Sequence, residues 1–323
     1  MSLMTLLALW LGCLLDYRLG EPRRWHPLVG FGRCASGLET VLNRAGKAGR
    51  VFGALAWVIA VLPLVALAFW VRMRLIPLGA PGVWLYTGLS AFGLYWALGW
   101  RSLVDHMRVI RLAFAQGELE AARAAVGQVV SRDCTEASWS DLRRAAVESA
   151  LENTCDAIVA PLFWFAALGL PGVVLYRLSN TLDAMWGYRN ERFARFGWAA
   201  ARVDDGLNWL PARLTAAAFV ATAPGLRAAR LAARAWFVQA RRCESPNAGP
   251  VMCAGAGALG VALGGPSWYH GQIKDKPWFG GTREPEARDL RRALALIYRA
   301  VALLLILLSA ALLGVAFWPW TPG

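Results

Sequence analysis

The chain is poor in the groups that most often mark a soluble enzyme. Charged residues make up 17% of 323 positions, and acids are the scarcer sign, with 21 Asp and Glu against 34 Lys and Arg. The histidines are His26, His106 and His270, and none stands at a spacing that implies a metal. The cysteines, Cys13, Cys34, Cys134, Cys155, Cys243 and Cys253, form no CxxC and no Cys/His pattern. That speaks against a zinc site and a disulfide framework, and the thiols are expected to act as small buried hydrophobes. No GxxxxGK[ST] occurs, so any use of ATP does not run through a P-loop, and there is no G-x-S-x-G elbow. Gly255-Ala-Gly-Ala-Leu-Gly260 matches GxGxxG, but no predicted strand precedes it and no acid follows at the Rossmann distance. With Gly264 it reads instead as a small-residue face for close helix packing. The basic excess is spread between apolar segments and forms no stripe or module, which excludes nucleic acid as a partner.

What is abundant is apolar surface. Hydrophobic residues reach 57% and the mean hydropathy is +0.41, above the apolar share usual in soluble domains. Composition and span lengths predict an all-α, polytopic integral membrane protein, one domain over residues 1–323, with about four to five spans plus broken or re-entrant helices. The opening run Leu3–Leu15 lacks a basic n-region and a small-residue cleavage site, so it is not expected to be a removable signal peptide. Val51–Val71 and Val83–Trp100 are long enough to cross, and Ala300–Trp318 is a last span whose ending WPWTPG suits an interfacial anchor. Ala157–Tyr176 is interrupted by Pro161, Gly169, Pro171 and Gly172, while Ala212–Gly225 and Val251–Gly265 are short for full spans. A re-entrant or broken helix at Ala157–Tyr176 keeps the Arg-rich flanks on one side, and such helices are tolerated where they line a cavity. With a net charge of +13, the positive-inside rule puts the polar loops 17–50, 101–156, 177–213, 227–250 and 266–299 in the cytoplasm of a bacterial inner membrane, facing anionic lipid.

Four polar clusters flank the weak apolar pieces. In Ala145–Trp164 a helix would put Glu148, Glu152 and Asp156 at i, i+4 and i+8, a strip roughly 80° wide, with Asn153 beside it. Several carboxylates next to a bilayer need a divalent cation, Arg side chains or shared protons to offset them. The plainer alternative is a solvated face on which Arg144 pairs with Glu148. A second cluster is Asn180-Thr-Leu-Asp183 with Gly187-Tyr-Arg-Asn-Glu191, and a third is Asp204-Asp205-Gly-Leu-Asn208 leading to Arg213. Adjacent carboxylates and an amide oxygen one turn on are hard ligands suited to Mg²⁺, although Asp204 and Asp205 also suit a helix's first turn. The fourth, Ser245-Pro-Asn-Ala-Gly249, opens an apolar segment and reads either as an anion site at a helix N-terminus or as an ordinary cap.

Taken in order, Leu15-Asp-Tyr-Arg-Leu-Gly-Glu-Pro, His26-Pro-Leu-Val-Gly-Phe-Gly-Arg33, Ser131-Arg-Asp133, Glu148-Ser-Ala-Leu-Glu-Asn-Thr154, Ala160-Pro-Leu-Phe-Trp164, Asn180-Thr-Leu-Asp183, Gly187-Tyr-Arg189, Asp204-Asp205 with Asn208-Trp-Leu-Pro-Ala-Arg213, and Ser245-Pro-Asn-Ala-Gly249 carry a resemblance. The chain resembles the adenosylcobinamide-phosphate synthase family of cobalamin biosynthesis, the CobD/CbiB membrane proteins, from about residue 10 to about residue 320. Cys134 departs from the pattern, standing where the family usually has Thr.

The resemblance implies a ligase that joins the free propionate carboxyl of adenosylcobyric acid, a corrinoid, to the amino group of aminopropanol or its phosphate, with ATP and Mg²⁺. Read against that chemistry, Glu148, Glu152, Asp156 and Asp183 are the candidate catalytic acids, and Glu148, Glu152, Asp204 and Asp205 the candidate metal ligands. Arg189 and Arg213 are the candidate phosphate clamps, with Asn153, Asn180, Asn208, Ser245 and Asn247 as polar positioning groups. Besides these substrates the expected partner is membrane lipid, and the oligomeric state stays open. The competing readings are a transporter of an anionic metabolite, against which no inverted repeat is apparent, and an inactive membrane scaffold of the same family.

Overall fold

A chain that buries its backbone in an apolar setting must satisfy its N–H and C=O groups internally, and helices do so within one segment. The computed structural model, which describes residues 2–22, 26–46, 49–269 and 272–317, follows that rule almost throughout. In order it forms α1 (Ser2–Leu19), α2 (Pro27–Leu42), α3 (Arg50–Leu75), α4 (Ala80–Ala97), α5 (Trp100–Gln116), α6 (Leu119–Gly127), α7 (Trp139–Thr154), α8 (Ala160–Leu168), α9 (Leu170–Trp186), α10 (Trp198–Ala221), α11 (Leu226–Arg234) and α12 (Ala248–Leu259). Short strands β1 (Ala262–Leu263), β2 (Ser267–Tyr269), β3 (Gln272–Lys274) and β4 (Phe279–Gly280) precede α13 (Ala287–Phe317). β1 pairs with β4 and β2 with β3, both antiparallel.

The expected all-α membrane fold is what the structure shows. Among the described residues, Ser2–Leu19, Arg50–Leu78, Trp139–Leu168 and Ala287–Phe317 are long and apolar enough to cross a membrane. Their placement departs from the expectation in three places, the first being that Trp139–Leu168 starts inside the segment read as the polar loop 101–156. The expected span Val83–Trp100 is not one helix: α4 ends at Ala97, Leu98 is extended at φ −74° and ψ 146°, and α5 starts afresh at Trp100. The last helix begins at Ala287, well inside the segment read as a charged loop. Asp289 makes that possible, because its buried carboxylate accepts from Arg283, Arg292 and the Glu286 N–H, and a buried charge needs such partners. The WPWTPG ending and His270 lie outside the described residues.

Two compact units divide the chain. The first takes residues 1–99, 160–208 and 306–323, the second residues 100–159 and 209–305. The first unit is centred on Ala35, Ala56, Val61, Leu178, Leu182, Trp186, Phe196 and Ala200. Trp186 and Phe196 meet edge to face at 5.1 Å, and burying each large side chain contributes about 1.5–3 kcal/mol. This core fixes one side of α9 and leaves Asn180 and Asp183 on its half-buried remainder.

The same unit contains a short repeat. Leu78–Tyr86 and Leu168–Tyr176 share the pattern L-G-x-P-G-V-x-L-Y. Each turns one helix into the next through its first glycine, Gly79 at φ 74° and ψ −151° and Gly169 at φ 69° and ψ −149°. That region of backbone space is open to glycine and strained for other residues. The second glycine lets the two helices touch. A Cβ on Gly82 would lie 1.9 Å from the Leu75 carbonyl oxygen, and one on Gly172 would lie 2.4 Å from that of Trp164. Gly172→Val is therefore expected to cost about 3 kcal/mol or more through backbone displacement. The detergent-solubilised variant should lose its single size-exclusion peak, and wild-type melting behaviour would disprove the close contact.

In the second unit, Ser138 caps α7: its hydroxyl accepts from the Asp141 N–H at 3.2 Å while Asp141 takes the Ser138 N–H at 3.1 Å. The helix then passes through one π turn, Cys155–Val159, before α8. α12 packs closely on both α7 and α11, since a Cβ on Gly255 would come within 2.5 Å of Leu151 and one on Gly257 within 2.7 Å of the Ala232 backbone. Gly264 does not join that helix face as expected. It follows β1 at φ +82°, and its N–H is put to another use below.

Candidate functional site

The acidic strip of α7 opens onto a cavity of about 270 Å³ in the second unit, walled by Arg132, Glu148, Ser149, Glu152, Asn153, Cys243, Ser245 and Lys276 among others. Helical spacing puts Glu148 and Glu152 on the same wall, but the two carboxylates have different surroundings. Glu148 is buried, and both of its oxygens are engaged, one by the Arg132 guanidinium and the other by the Gly264 N–H at 2.7 Å. The expected alternative, Arg144 paired with Glu148 on a solvated face, is overturned. Arg144 pairs with Asp141 and lies 4.7 Å over the Trp278 ring. Glu152 makes no hydrogen bond or ion pair among the described residues, and shares the cavity with Glu148, Arg132 and Lys276.

Polar groups around the strip are held by their own neighbours. Ser149 donates to the Val129 carbonyl at 2.8 Å and Asn153 to the Ser149 carbonyl at 2.9 Å, which leaves the Asn153 amide oxygen without a partner among the described residues. Ser245 accepts from the N–H groups of Asn247 at 3.3 Å and Ala248 at 3.1 Å, so its hydroxyl already caps the start of α12. Arg213 donates to Asn247 Oδ1 at 2.7 Å and to the Trp209 carbonyl at 3.0 Å, and stacks 4.8 Å over the Trp209 ring. Burial lowers its pKa from the ordinary arginine value. Asp156 sits in the π turn and is not part of the cavity wall. Cys243 is in the wall with its sulfur 3.8 Å from that of Cys253, and Cys34 is exposed on α2, so neither Cys243 nor Cys34 is the fully buried hydrophobe expected.

The first unit gathers Asn180, Asp183, Asp204 and Asn208. Asp204 accepts from Asn180 Nδ2 at 3.2 Å and from Asn208 Nδ2 at 3.0 Å. Tyr176 donates to Asn208 Oδ1 at 3.1 Å and Arg177 to Asn180 Oδ1 at 3.4 Å, which orients both amides. Asp183 has room because residue 187 is glycine, where a Cβ would come 2.1 Å from Asp183 Oδ1. Burial first, and then the charges of Asp204 and Asp205, push the Asp183 carboxyl up to about 7. Burial pushes Asp204 up to about 6 against the hydrogen bonds of Asn180 and Asn208, with Asp205 adding to the rise. Asp205 is also raised by burial, opposed by Arg202 and Arg189. Arg189 itself is exposed in the bend after α9.

Neighbouring carboxylates that hold their protons this strongly are the setting a cation relieves. Among the described residues no three His, Cys, Asp or Glu side chains stand close enough to hold a metal by themselves. The donor set fits Mg²⁺ all the same, since that ion keeps several waters and is usually bound by one or two carboxylates completed by phosphate oxygens.

Sequence reasoning missed Arg132, Lys276 and Arg177. Arg177 could have been found, since it stands one turn before Asn180 on the same helix. Arg132 had only its place in Ser131-Arg-Asp133 to recommend it, and Lys276 had no local signal at all.

Comparison with known proteins matches residues 9–297 to the family described as CobD/Cbib protein. A cobalamin biosynthesis protein CobD of Stutzerimonas stutzeri is 51% identical over 297 residues, covering 91% of this chain and 94% of that protein. One from Chromobacterium violaceum is 49% identical over 316 residues, covering 95% and 97%, and one from Mycobacterium tuberculosis is 43% identical over 288 residues, covering 88% and 89%. No solved structure matches the chain.

Proposed function

The chain belongs to the CobD/Cbib family of cobalamin biosynthesis, and on that premise we propose that it is a membrane ligase forming an amide between adenosylcobyric acid and aminopropanol or its phosphate. The observation that carries this reading is Glu152, a carboxylate in the wall of a polar cavity beside Arg132 and Lys276 with no hydrogen-bond or ion-pair partner among the described residues. A carboxylate does not acylate an amine unaided, because oxide is too poor a leaving group. In the proposed reaction the corrinoid carboxylate takes the terminal phosphoryl group of ATP and ADP departs. The amine then attacks the acyl carbon, phosphate leaves, and the amine's surplus proton goes to a base.

Glu152 suits the base, being aimed into the cavity and uncommitted. Arg132 and Lys276 would offset charge developing on the acyl and phosphoryl oxygens. Glu148 holds Arg132 in place, and Asn153 and Ser245 would position the reacting groups. Within the first unit, taken by itself, Asp183 and Asp204, with Asp205 beside them, would hold Mg²⁺ and neutralise the oxygens of a phosphate bound there. Arg189 is the more available of the two candidate clamps, since Arg213 is already occupied by Asn247. Turnover in detergent tests the enzyme class, because a ligase makes product without a sealed compartment and a carrier has nothing to do there.

The proposal places the protein in the bacterial inner membrane with loops 17–50, 101–156, 177–213, 227–250 and 266–299 on the cytoplasmic side. A single cysteine introduced at Arg195, exposed just before α10, is expected to react with an impermeant reagent only after cells are opened. Labelling from outside intact cells would refute this topology.

A further inference from the structure

A cavity of about 340 Å³ that the proposed chemistry leaves unused lies in the first unit, beside the L-G-x-P-G-V-x-L-Y repeat. Its wall takes Tyr86 from one copy of the repeat and Gly169 from the other, and is closed by Phe69, Leu168 and the buried Ser90. One charged side chain, Arg72 in the last turn of α3, also faces it. Among the described residues the cavity wall holds no carboxylate that could pair with Arg72. A guanidinium at the end of a membrane-spanning helix, beside an apolar hollow and without a protein anion, is a site for an outside anion.

The surroundings say where that anion comes from. Phe69, Trp70, Trp84 and Leu85 are each more than half exposed, and Arg74 lies 5.5 Å over the Trp70 ring. Exposed tryptophans and arginines at the end of an apolar helix mark the level of lipid headgroups. A ligand entering at that level carries its charge at the headgroup and its apolar part toward the hydrocarbon, in the same order as Arg72 and the apolar wall. We propose that this cavity binds an anionic phospholipid, its phosphate on Arg72 and an acyl chain against Phe69 and Leu168. Tyr86 and Ser90 supply hydroxyls to the ester region. This site is independent of the amide chemistry, since none of its residues belongs to the polar clusters described above.

The test is native mass spectrometry of the delipidated full chain in detergent, with phosphatidylglycerol or phosphatidylcholine of matched chains added back. Wild type is expected to retain one phosphatidylglycerol at least tenfold more than phosphatidylcholine, and inorganic phosphate should not compete. Arg72→Gln should lose that preference while Arg74→Gln, a change at the neighbouring arginine outside the cavity, keeps it. Ser90→Leu should lower retention of both lipids by filling the hollow with Arg72 intact. Equal retention of the two lipids, an unchanged preference in Arg72→Gln, or displacement by inorganic phosphate would each overturn the assignment.

Discussion

Glu152→Gln is expected to cut turnover by about a hundredfold or more while leaving the protein folded. The substitution keeps the size and helix propensity of the side chain and removes only its charge and basicity. If Glu152 merely shared in a surface ion pair, its loss would cost at most about 1 kcal/mol of stability and little rate. It has no such pair to lose among the described residues, and it faces a cavity already supplied with Arg132 and Lys276. Glu148→Gln should behave differently. It removes the acceptor of Arg132 and Gly264, and breaking a buried pair costs about 3–5 kcal/mol, so stability should fall together with activity. Near-wild-type turnover in a folded Glu152→Gln variant would return the strip of α7 to a structural role.

The second large effect concerns the carboxylates of the first unit. Asp183 is held up to about 7 by burial and by Asp204 and Asp205, whereas in the unfolded chain an aspartate titrates near about 3.9. A folded-state pKa above the unfolded one means stability that is complete below about 4 and lost as pH rises towards about 7. Asp204, up to about 6, adds to the same trend over a narrower window. In a divalent-free buffer the thermal midpoint should therefore fall steadily from acid to neutral pH. Mg²⁺ binds the ionised carboxylates, so it should restore the midpoint at pH 8 and do little at pH 5. At a hundredfold excess over its dissociation constant the gain is about 2.7 kcal/mol. Asp183→Asn should flatten the pH profile and abolish the Mg²⁺ gain, while a Mg²⁺ effect equal at both pH values would place the ion elsewhere.

Local chemistry made much of this legible before the structure. The glycines and prolines of Ala157–Tyr176 announced a broken helix, and the break falls at Gly169, where φ is positive. Spacing alone put Glu148 and Glu152 on one face of what is now α7. What escaped depended on contacts far along the chain. Helix-local pairing rules offered Arg144 as an alternative partner for Glu148, but tertiary packing gave it to Arg132, on the segment before α7, and to the Gly264 N–H. The start of α13 was hidden because charged residues read as loop until Asp289 is seen neutralised by two arginines. Four strands of two or three residues carry too little alternation to be read from a pattern. The L-G-x-P-G-V-x-L-Y repeat was in plain view, and went unused because its meaning lies in backbone contacts at Gly82 and Gly172.

The most direct measurement is the mass of the product formed by the purified chain in detergent, given adenosylcobyric acid, aminopropanol phosphate and Mg-ATP. The expected result is the amide, formed in step with ADP and phosphate, lost without Mg²⁺ and lost in Glu152→Gln. Wild-type protein that is folded and binds the corrinoid, yet forms no amide under these conditions, would contradict the assignment of a ligase.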